Sequence, residues 1–231
     1  MNALRKILAA GVLTVACTMM AQSANASLIV NALVGGAPTG ASYANFDNLA
    51  LGSAGGTSGG IGVSFTTGDG QVVTGAAASL YAAPFISNSN GVPFGDATVS
   101  GPDATQYLST GIGSVTLTLP GTESYFGLLW GSVDSYNSLQ FYSGATLVGT
   151  VTGTDVVAGA NGDQGVNGTY YVNILSTLGF DRVVALSTSY AFEFDNVAYN
   201  PTDPNNPVPE PLTLGLLGLG ILGLGAVRKL R

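Results

Sequence analysis

The chain of 231 residues contains no histidine, a single cysteine and no lysine between positions 27 and 200. Because histidine is the commonest general base and metal ligand, its absence excludes a Ser-His-Asp triad and histidine-bound metals. One cysteine, Cys17, can form neither an intramolecular disulfide nor a zinc site made of cysteines. The missing lysines exclude Schiff-base and Ser-Lys chemistry, and no GxxxxGK loop is present for phosphoryl transfer. Most enzyme classes are therefore excluded, and we expect no catalytic activity.

Charge is also scarce, and most of it has one sign. Charged residues make up 8% of the chain, against about 25% in ordinary globular proteins. Between residues 27 and 200 there are eleven acidic residues and one basic residue, Arg182, which gives a net charge of −10. Phosphate binding needs clustered Lys and Arg, so a nucleic acid partner is excluded. One catalytic option survives this composition, a pair of carboxylates as in glycoside hydrolysis, for which Glu123, Glu193 or two aspartates are available.

The first 26 residues have the three parts of a secretory signal. Arg5-Lys6 supplies the positive charge, residues 7–20 form the apolar segment, and Ala24-Asn25-Ala26 has the small-x-small pattern that precedes cleavage. We therefore predict a signal peptide over residues 1–26, with cleavage before Ser27.

Two alternatives to a signal peptide remain for this segment. One is a buried or membrane-spanning helix, although the apolar run is short and ends in a cleavage pattern. The other is a lipoprotein signal that is cut before Cys17 and acylated on its sulfur. Such signals usually carry leucine three residues earlier, where this chain has Thr14.

The C-terminal end consists of a proline-rich linker, an uncharged apolar run and a basic terminus. Residues 201–211 read PTDPNNPVPEP, and five prolines in eleven positions predict a semi-rigid extended linker. Residues 212–227 carry no charge and, as a helix, would span about 24 Å, somewhat short of a bilayer core of about 30 Å. We predict that residues 212–231 form a transmembrane helix and a basic tail. The tail favours the cytoplasmic side, which leaves the body outside; its basic residues are Arg228, Lys229 and Arg231.

This end of the chain closely resembles the PEP-CTERM protein-sorting domain. Pro209, Glu210 and Pro211, preceded by Val208, match that family's namesake motif position by position, and the apolar run and basic tail follow in the family's order. The resemblance implies handling by an exosortase, a membrane protease-transferase that recognises the motif. It also implies a Gram-negative, exopolysaccharide-producing bacterium, a transient inner-membrane anchor and a final location at the cell surface or outside the cell. An ordinary tail anchor after a proline linker is the alternative.

Between these ends, residues 27–200 are long enough for one domain with a sizeable core. Apolar and β-branched residues alternate with period two, as in residues 115–119 and 191–195, and no window has the pattern of an amphipathic helix. Two hairpins are predicted, over residues 61–74 with an Asp69-Gly70 turn and over residues 139–151. Many short strands with Gly-rich turns predict a single all-β domain, a β-sandwich or jelly roll. Further strands are predicted over residues 28–34, 46–51, 79–85, 125–131, 170–175 and 182–187.

Two segments near the ends of this body echo each other. Phe46-Asp47-Asn48 is repeated as Phe194-Asp195-Asn196. Because the first and last strands of a jelly roll often lie side by side, we expect the two segments to meet. Asp47 and Asp195 favour Asx-turns at strand edges. Calcium binding is the alternative, since only oxygen ligands are available in this chain.

The segment 130–137 is the principal candidate for ligand contact. Trp130 and Tyr136 could stack on sugar rings, while Asp134 and Asn137 could hydrogen-bond to sugar hydroxyls, an arrangement that suits neutral, hydroxyl-rich ligands. The alternative is that Trp130 belongs to the core, because it shares one strand face with two other apolar residues and a polar turn follows.

The body is also similar to a family of exosortase-dependent surface proteins of cyanobacteria and proteobacteria. The similarity is carried by residues 125–137, 166–173 and 192–196, and it implies secretion and sorting rather than a mechanism. We therefore expect a structural or adhesive protein within or on an exopolysaccharide matrix. The alternatives are a lectin-like carbohydrate-binding module and, more distantly, a glycoside hydrolase, which requires two facing carboxylates in a cleft.

Overall fold

The computed structural model describes residues 27–66 and 68–204. The predicted signal peptide, the end of the linker and the predicted transmembrane helix with its basic tail lie outside the described residues. Within the described part, no helix is long and apolar enough to cross a membrane. The regular structure there is almost entirely β, which confirms the predicted all-β class. In chain order the elements are β1 (Leu28–Leu33), β2 (Ser42–Ala44), β3 (Gly56–Ser58), β4 (Ile61–Thr66), β5 (Gln71–Val73), β6 (Phe85–Ile86), a 3-10 turn (Val92–Phe94), β7 (Gly101–Pro102), β8 (Tyr107–Ser109), β9 (Gly113–Gly131), β10 (Asn137–Ser143), β11 (Thr146–Thr152), α1 (Gly153–Val156), β12 (Tyr170–Ser187) and β13 (Glu193–Asn200).

Two long strands, β9 and β12, form the frame of the domain. They pair with each other antiparallel, from Trp130 opposite Tyr170 at one end to Gly113 opposite Ser187 at the other. The register shifts on both sides of Phe180, so each strand has an irregularity at which it can bend. The sequence predicts two short strands in place of β9, over residues 115–119 and 125–131, and two in place of β12, over residues 170–175 and 182–187. In the structure each pair is one continuous strand with an irregularity where the break was expected.

The main sheet is antiparallel and follows the order β11-β10-β12-β9-β13-β8-β5. The two long strands change partners along their length. At one end β12 pairs with β10 and β9 pairs with β4, whereas at the other end β12 pairs with β1 and β9 pairs with β13. This exchange of partners wraps the sheet around an apolar core, and the result is a β-sandwich-like domain.

Alternation along the strands decides which side chains enter the core. Phe126, Leu128 and Trp130 of β9 are fully buried there, and so are Phe194 on the neighbouring strand β13, which pairs with Trp130, and Phe192 just before that strand. The ring centroids of Trp130 and Phe192 are 4.3 Å apart in a stacked arrangement. Because side chains alternate along a strand, Glu193 and Asp195 point to the face opposite that of Phe192 and Phe194.

The two predicted hairpins have different outcomes. Strands β10 and β11 pair as expected. Strands β4 and β5 form, but β4 pairs with β9 and β5 pairs with β8, so the prediction that they form a hairpin is wrong. The connection passes through Gly68, which has a φ of +129° and packs against the carbonyl group of Ile112.

Two further predicted strands are mostly irregular. Residues 46–51 form a turn, because Phe46 has a φ of +55° and its carbonyl accepts a hydrogen bond from the Leu49 N–H at 3.0 Å. Of the predicted strand over residues 79–85, only the last residue belongs to a strand, β6. The remainder of that segment lies across one end of the domain, where it lines a cleft.

Candidate functional site

A cleft of about 280 Å³ lies where the ends of β9 and β13 meet three loops. Residues 132–136 follow β9 and form one side, together with the loop at residues 161–164. Residues 76–82 form the opposite wall, and residues 190–193 complete the lining. None of the residues that line it is basic.

Glu193 is the most deeply buried ionisable group of the cleft, with a relative exposure of 2%. Its Oε1 accepts a hydrogen bond from the backbone N–H of Ala82 at 3.0 Å, and its Oε2 accepts one from the Ser132 hydroxyl at 2.6 Å. Burial raises the pKa of Glu193 to about 7, although both hydrogen bonds favour the charged form. Near neutral pH this carboxyl group therefore exists in both protonation states.

Asp134 and Tyr136 form a hydrogen-bonded pair on the side formed by the loop after β9. The Tyr136 hydroxyl lies 2.6 Å from Oδ2 of Asp134 and 2.7 Å from the carbonyl oxygen of Tyr190, so its single proton can go to either acceptor. Burial raises the pKa of Asp134, and the bond from Tyr136 partly opposes that shift. Burial and the neighbouring Asp134 carboxylate raise the pKa of Tyr136. The pair presents fixed oxygen atoms to the cleft.

The other two residues predicted to contact a ligand do not line the cleft. Trp130 is fully buried and stacks on Phe192, so its ring faces belong to the core. Asn137 is 1% exposed, and its amide nitrogen donates to the carbonyl oxygen of Ala191 at 3.1 Å. Both residues lie behind the lining of the cleft. Of the four predicted ligand contacts, Asp134 and Tyr136 therefore line the cleft, whereas Trp130 and Asn137 do not.

A second depression of about 250 Å³ adjoins the cleft. The two share Leu80, Tyr81 and Tyr190 and therefore lie side by side; we call the pair the groove. The Tyr190 hydroxyl donates a hydrogen bond to the Asp69 carboxylate in the second depression. Sequence reasoning did not identify the two tyrosines or Gln164 of the cleft, because no local pattern distinguishes them from other turn residues.

Asp134 and Glu193 place two carboxyl groups in one cleft. Carboxylate-based hydrolysis needs such a pair, with at least one member in contact with the substrate. Glu193 is nearly inaccessible, and both of its oxygens accept hydrogen bonds from the protein. The arrangement therefore offers hydrogen-bonding groups to a ligand more readily than an acid catalyst.

The two segments that repeat the Phe-Asp-Asn pattern meet, as the sequence predicts. Strand β2 pairs with β13, and the rings of Phe46 and Phe194 make an edge-to-face contact with centroids 6.3 Å apart. Asp47 has both oxygens engaged, with the Gln106 N–H at 3.1 Å and the Asn45 amide at 2.7 Å.

Asp195, the second predicted calcium ligand, lies in a different environment. It is fully buried, and its carboxyl group hydrogen-bonds to the carboxyl group of Asp103 and to the Asn196 backbone N–H. Burial, followed by the nearby Asp103 carboxylate, raises the pKa of Asp195 well above its usual range. Burial also raises the pKa of Asp103. The structure therefore brings Asp195 close to a carboxylate that the sequence did not link to it.

Comparisons with known proteins identify the C-terminal end of the chain. Residues 207–229 match the family model of the PEP-CTERM protein-sorting motif, which confirms the predicted resemblance and contains Val208, Pro209, Glu210 and Pro211. The motif implies export and exosortase-dependent sorting to the cell surface. No curated protein matches this chain significantly.

Among solved structures, one similar chain is a mutant of a family 29 carbohydrate-binding module, from work on its mechanism of ligand recognition. It is 12% identical, the match covers 62% of this chain and 97% of the module, and the TM-score is 0.30.

Proposed function

We propose that this protein, which carries a PEP-CTERM sorting motif, is an adhesive component of an exopolysaccharide matrix. In this proposal a signal peptide exports the chain, and the C-terminal helix anchors it briefly in the inner membrane of a Gram-negative cell. Exosortase then recognises Pro209-Glu210-Pro211 and passes the body to the cell surface or the extracellular space. The body has no catalytic role and holds polysaccharide through the groove.

The lining of the groove is the observation that carries the adhesive role. Carboxylate, amide and hydroxyl groups of Asp134, Gln164 and Tyr136 can bond to sugar hydroxyls. The rings of Tyr81 and Tyr190 offer apolar faces between the two depressions. Since no lining residue is basic, phosphorylated and strongly acidic ligands are disfavoured. These groups suit a neutral polysaccharide.

The presence of two adjacent depressions favours a polymer over a single sugar. The cleft and the adjoining depression have volumes of about 280 Å³ and about 250 Å³, and three residues line both of them. Two neighbouring depressions can each contact a different sugar of the same polysaccharide chain. Such a protein would adhere to the matrix by binding its polysaccharide, as a lectin does, so one proposal includes both the adhesive role and the carbohydrate-binding role.

Binding of the host exopolysaccharide tests this role directly. We expect the full-length protein in mild detergent to sediment with the purified polysaccharide. Replacing Tyr81 and Gln164 together by alanine should weaken binding about ten-fold or more, because a stacking face and an amide group are lost, each worth about 1 kcal/mol. Gln140→Ala, on β10 outside the groove, is the matched control and should bind as the wild type does. No binding of any glycan, or equal binding by the groove variant, would contradict the proposal.

The sorting step has a separate test in the host. We expect Glu210→Ala to stop exosortase handling, because the motif loses its only charged group. The variant should then stay in the cell envelope at its full anchored mass, as measured by fractionation and intact-mass analysis. Asp203→Asn, earlier in the same linker, should be processed normally. Release of the Glu210 variant at the normal size would show that exosortase does not read this motif.

A further inference from the structure

The face of β1, β12 and β9 that points away from the main core is covered over only part of its area. On β12 and β9, Tyr171, Tyr125 and Leu129 are buried there against Ile86 and Phe94, which belong to a segment that crosses this face. Towards β1 the face is open and forms a pocket of about 460 Å³, which we call the edge pocket. Its lining includes Ile29, Asn31, Leu33, Asn173, Leu175 and Asp203.

Aliphatic side chains form one part of this lining. Ile29 and Leu33 of β1 are 56% and 53% exposed, and they lie on the same face of the strand because they are four residues apart. Leu175, which is opposite Ile29 in the pairing of β1 with β12, is half-buried beside them. Exposed aliphatic side chains that adjoin a buried surface favour an occupant that removes them from water.

Amide groups form a second part of the lining. Asn31 and Asn173 are opposite each other in the pairing of β1 with β12. Oδ1 of Asn173 accepts a hydrogen bond from the Tyr125 hydroxyl at 2.7 Å, which leaves the amide nitrogen of Asn173 to donate to an occupant. The edge pocket therefore suits an apolar, extended peptide whose carbonyl oxygens are available as acceptors.

The chain itself leads out of the edge pocket. Asp203 belongs to the lining, and the next residue, Pro204, is the last one that the structure describes. Residues 205–211 follow with the sequence NNPVPEP. The three prolines of this segment have no N–H, and an extended proline-rich chain makes no hydrogen bonds among its own backbone groups. The segment thus offers the apolar groups and the free carbonyl oxygens that the pocket requires.

Charge and tethering favour this segment over a second copy of the body. Each body carries a net charge of −10 over residues 27–200, so two bodies repel each other at short range. The segment 205–211 carries one charge, that of Glu210. It also begins at the pocket, and a short tether gives an effective concentration on the order of millimolar.

We propose that residues 205–208 cross the edge pocket from β9 towards β1, with Val208 against Ile29 and Leu33. The direction follows from the pairing of Asn200 with β9, which brings the end of β13 to that side. Four extended residues span about 12 Å, and β1 lies two strand spacings, about 10 Å, from β9. Docking therefore leaves residues 209–211 beyond β1, outside the pocket. Presentation of this motif to exosortase rests on the function proposed above, whereas docking does not.

Thiol accessibility of the full-length protein in mild detergent tests the docking. Cys17→Ser removes the native cysteine, and Val208→Cys then places a small apolar thiol in the segment. We expect this thiol to react with a maleimide about ten-fold more slowly than the thiol of Thr39→Cys in the same background. Thr39 is exposed and lies near the same exit, because the adjacent Gly40 accepts a hydrogen bond from the Asn200 amide at 3.0 Å.

A charge in the edge pocket should release the segment. We expect Ile29→Asp to raise the reaction rate of the Val208→Cys thiol to that of the Thr39→Cys thiol. An exposed position on β1 tolerates a charge, and Leu33→Asp replaces this variant if it does not fold. The matched control is Leu147→Asp, at a residue that is 50% exposed on β11 and outside the pocket, and it should leave the thiol protected.

Three outcomes would overturn the proposal. One is fast reaction of the Val208→Cys thiol in the parent protein. Another is protection that survives the aspartate in the pocket, as shielding by the detergent micelle would give. The third is protection that weakens on dilution, which would identify a second copy as the occupant. Normal protection in a protein that binds no glycan, or that exosortase does not process, would reject the adhesive or the sorting role alone.

Discussion

Glu193 and Asp195 lie two residues apart on β13, and burial raises the pKa of both. Their surroundings nevertheless differ. Both oxygens of Glu193 accept hydrogen bonds from uncharged donors, Ala82 and Ser132, whereas Asp195 faces a second carboxyl group, that of Asp103. The period-two pattern correctly places both residues on the strand face opposite that of the neighbouring phenylalanines. It does not distinguish their roles, because the groups around them come from distant parts of the chain.

The pKa of Glu193 leads to a prediction about stability. Its pKa is about 7 in the folded protein, against an ordinary value of 4.5, so the folded state binds the proton more tightly. This group therefore increases the free energy of unfolding as pH falls from 8 to 4.5, by about 3 kcal/mol. We expect Glu193→Gln to remove that dependence, because a carboxamide has the same shape and does not titrate.

Urea unfolding of both proteins at several pH values, with EDTA present, measures the difference. Asp134, Tyr107 and Tyr136 are the charged and titratable groups that interact with Glu193, and they are retained in the variant. Parallel pH profiles for wild type and Glu193→Gln would contradict the shifted pKa.

At the scale of elements, local pattern identified most strands but only some of their partners. Strand β4 satisfies the alternation expected of a strand next to a turn, yet it pairs with β9. The connection after β4 passes close to another part of the chain at Gly68, where a Cβ would collide with the carbonyl oxygen of Ile112. The same limitation applies to β9 and β12, whose lengths depend on pairing across the sheet rather than on an uninterrupted local pattern.

The connection at Gly68 gives a prediction about this element. We expect Gly68→Ala to lower the free energy of unfolding by roughly 2–3 kcal/mol, because φ is +129° and the new Cβ meets backbone. Gly144→Ala is the matched control, since Gly144 has a φ of +57° but open space around it, and it should cost roughly 1 kcal/mol. Urea unfolding measures both values. Equal losses in the two variants would show that the contact with Ile112 is unimportant.

At the scale of the whole molecule, charge is separated along the chain. Five of the six basic residues lie in the terminal segments, and the body between them has eleven acidic residues and Arg182. A body of this kind cannot neutralise buried carboxylates with its own side chains, except near that one arginine. The proposed preference for neutral glycans is a consequence of this composition.

The sequence by itself determined the all-β class, the acidic body and the PEP-CTERM motif at residues 207–229. Each of these depends on composition or on residues adjacent in the chain, which are visible without folding. Only the tertiary structure decided that Asp134, Tyr136 and Glu193 share a cleft while Trp130 belongs to the core. It also decided that Asp195 meets Asp103. These contacts join residues far apart in the chain, and they form only when strand pairing and burial are satisfied together.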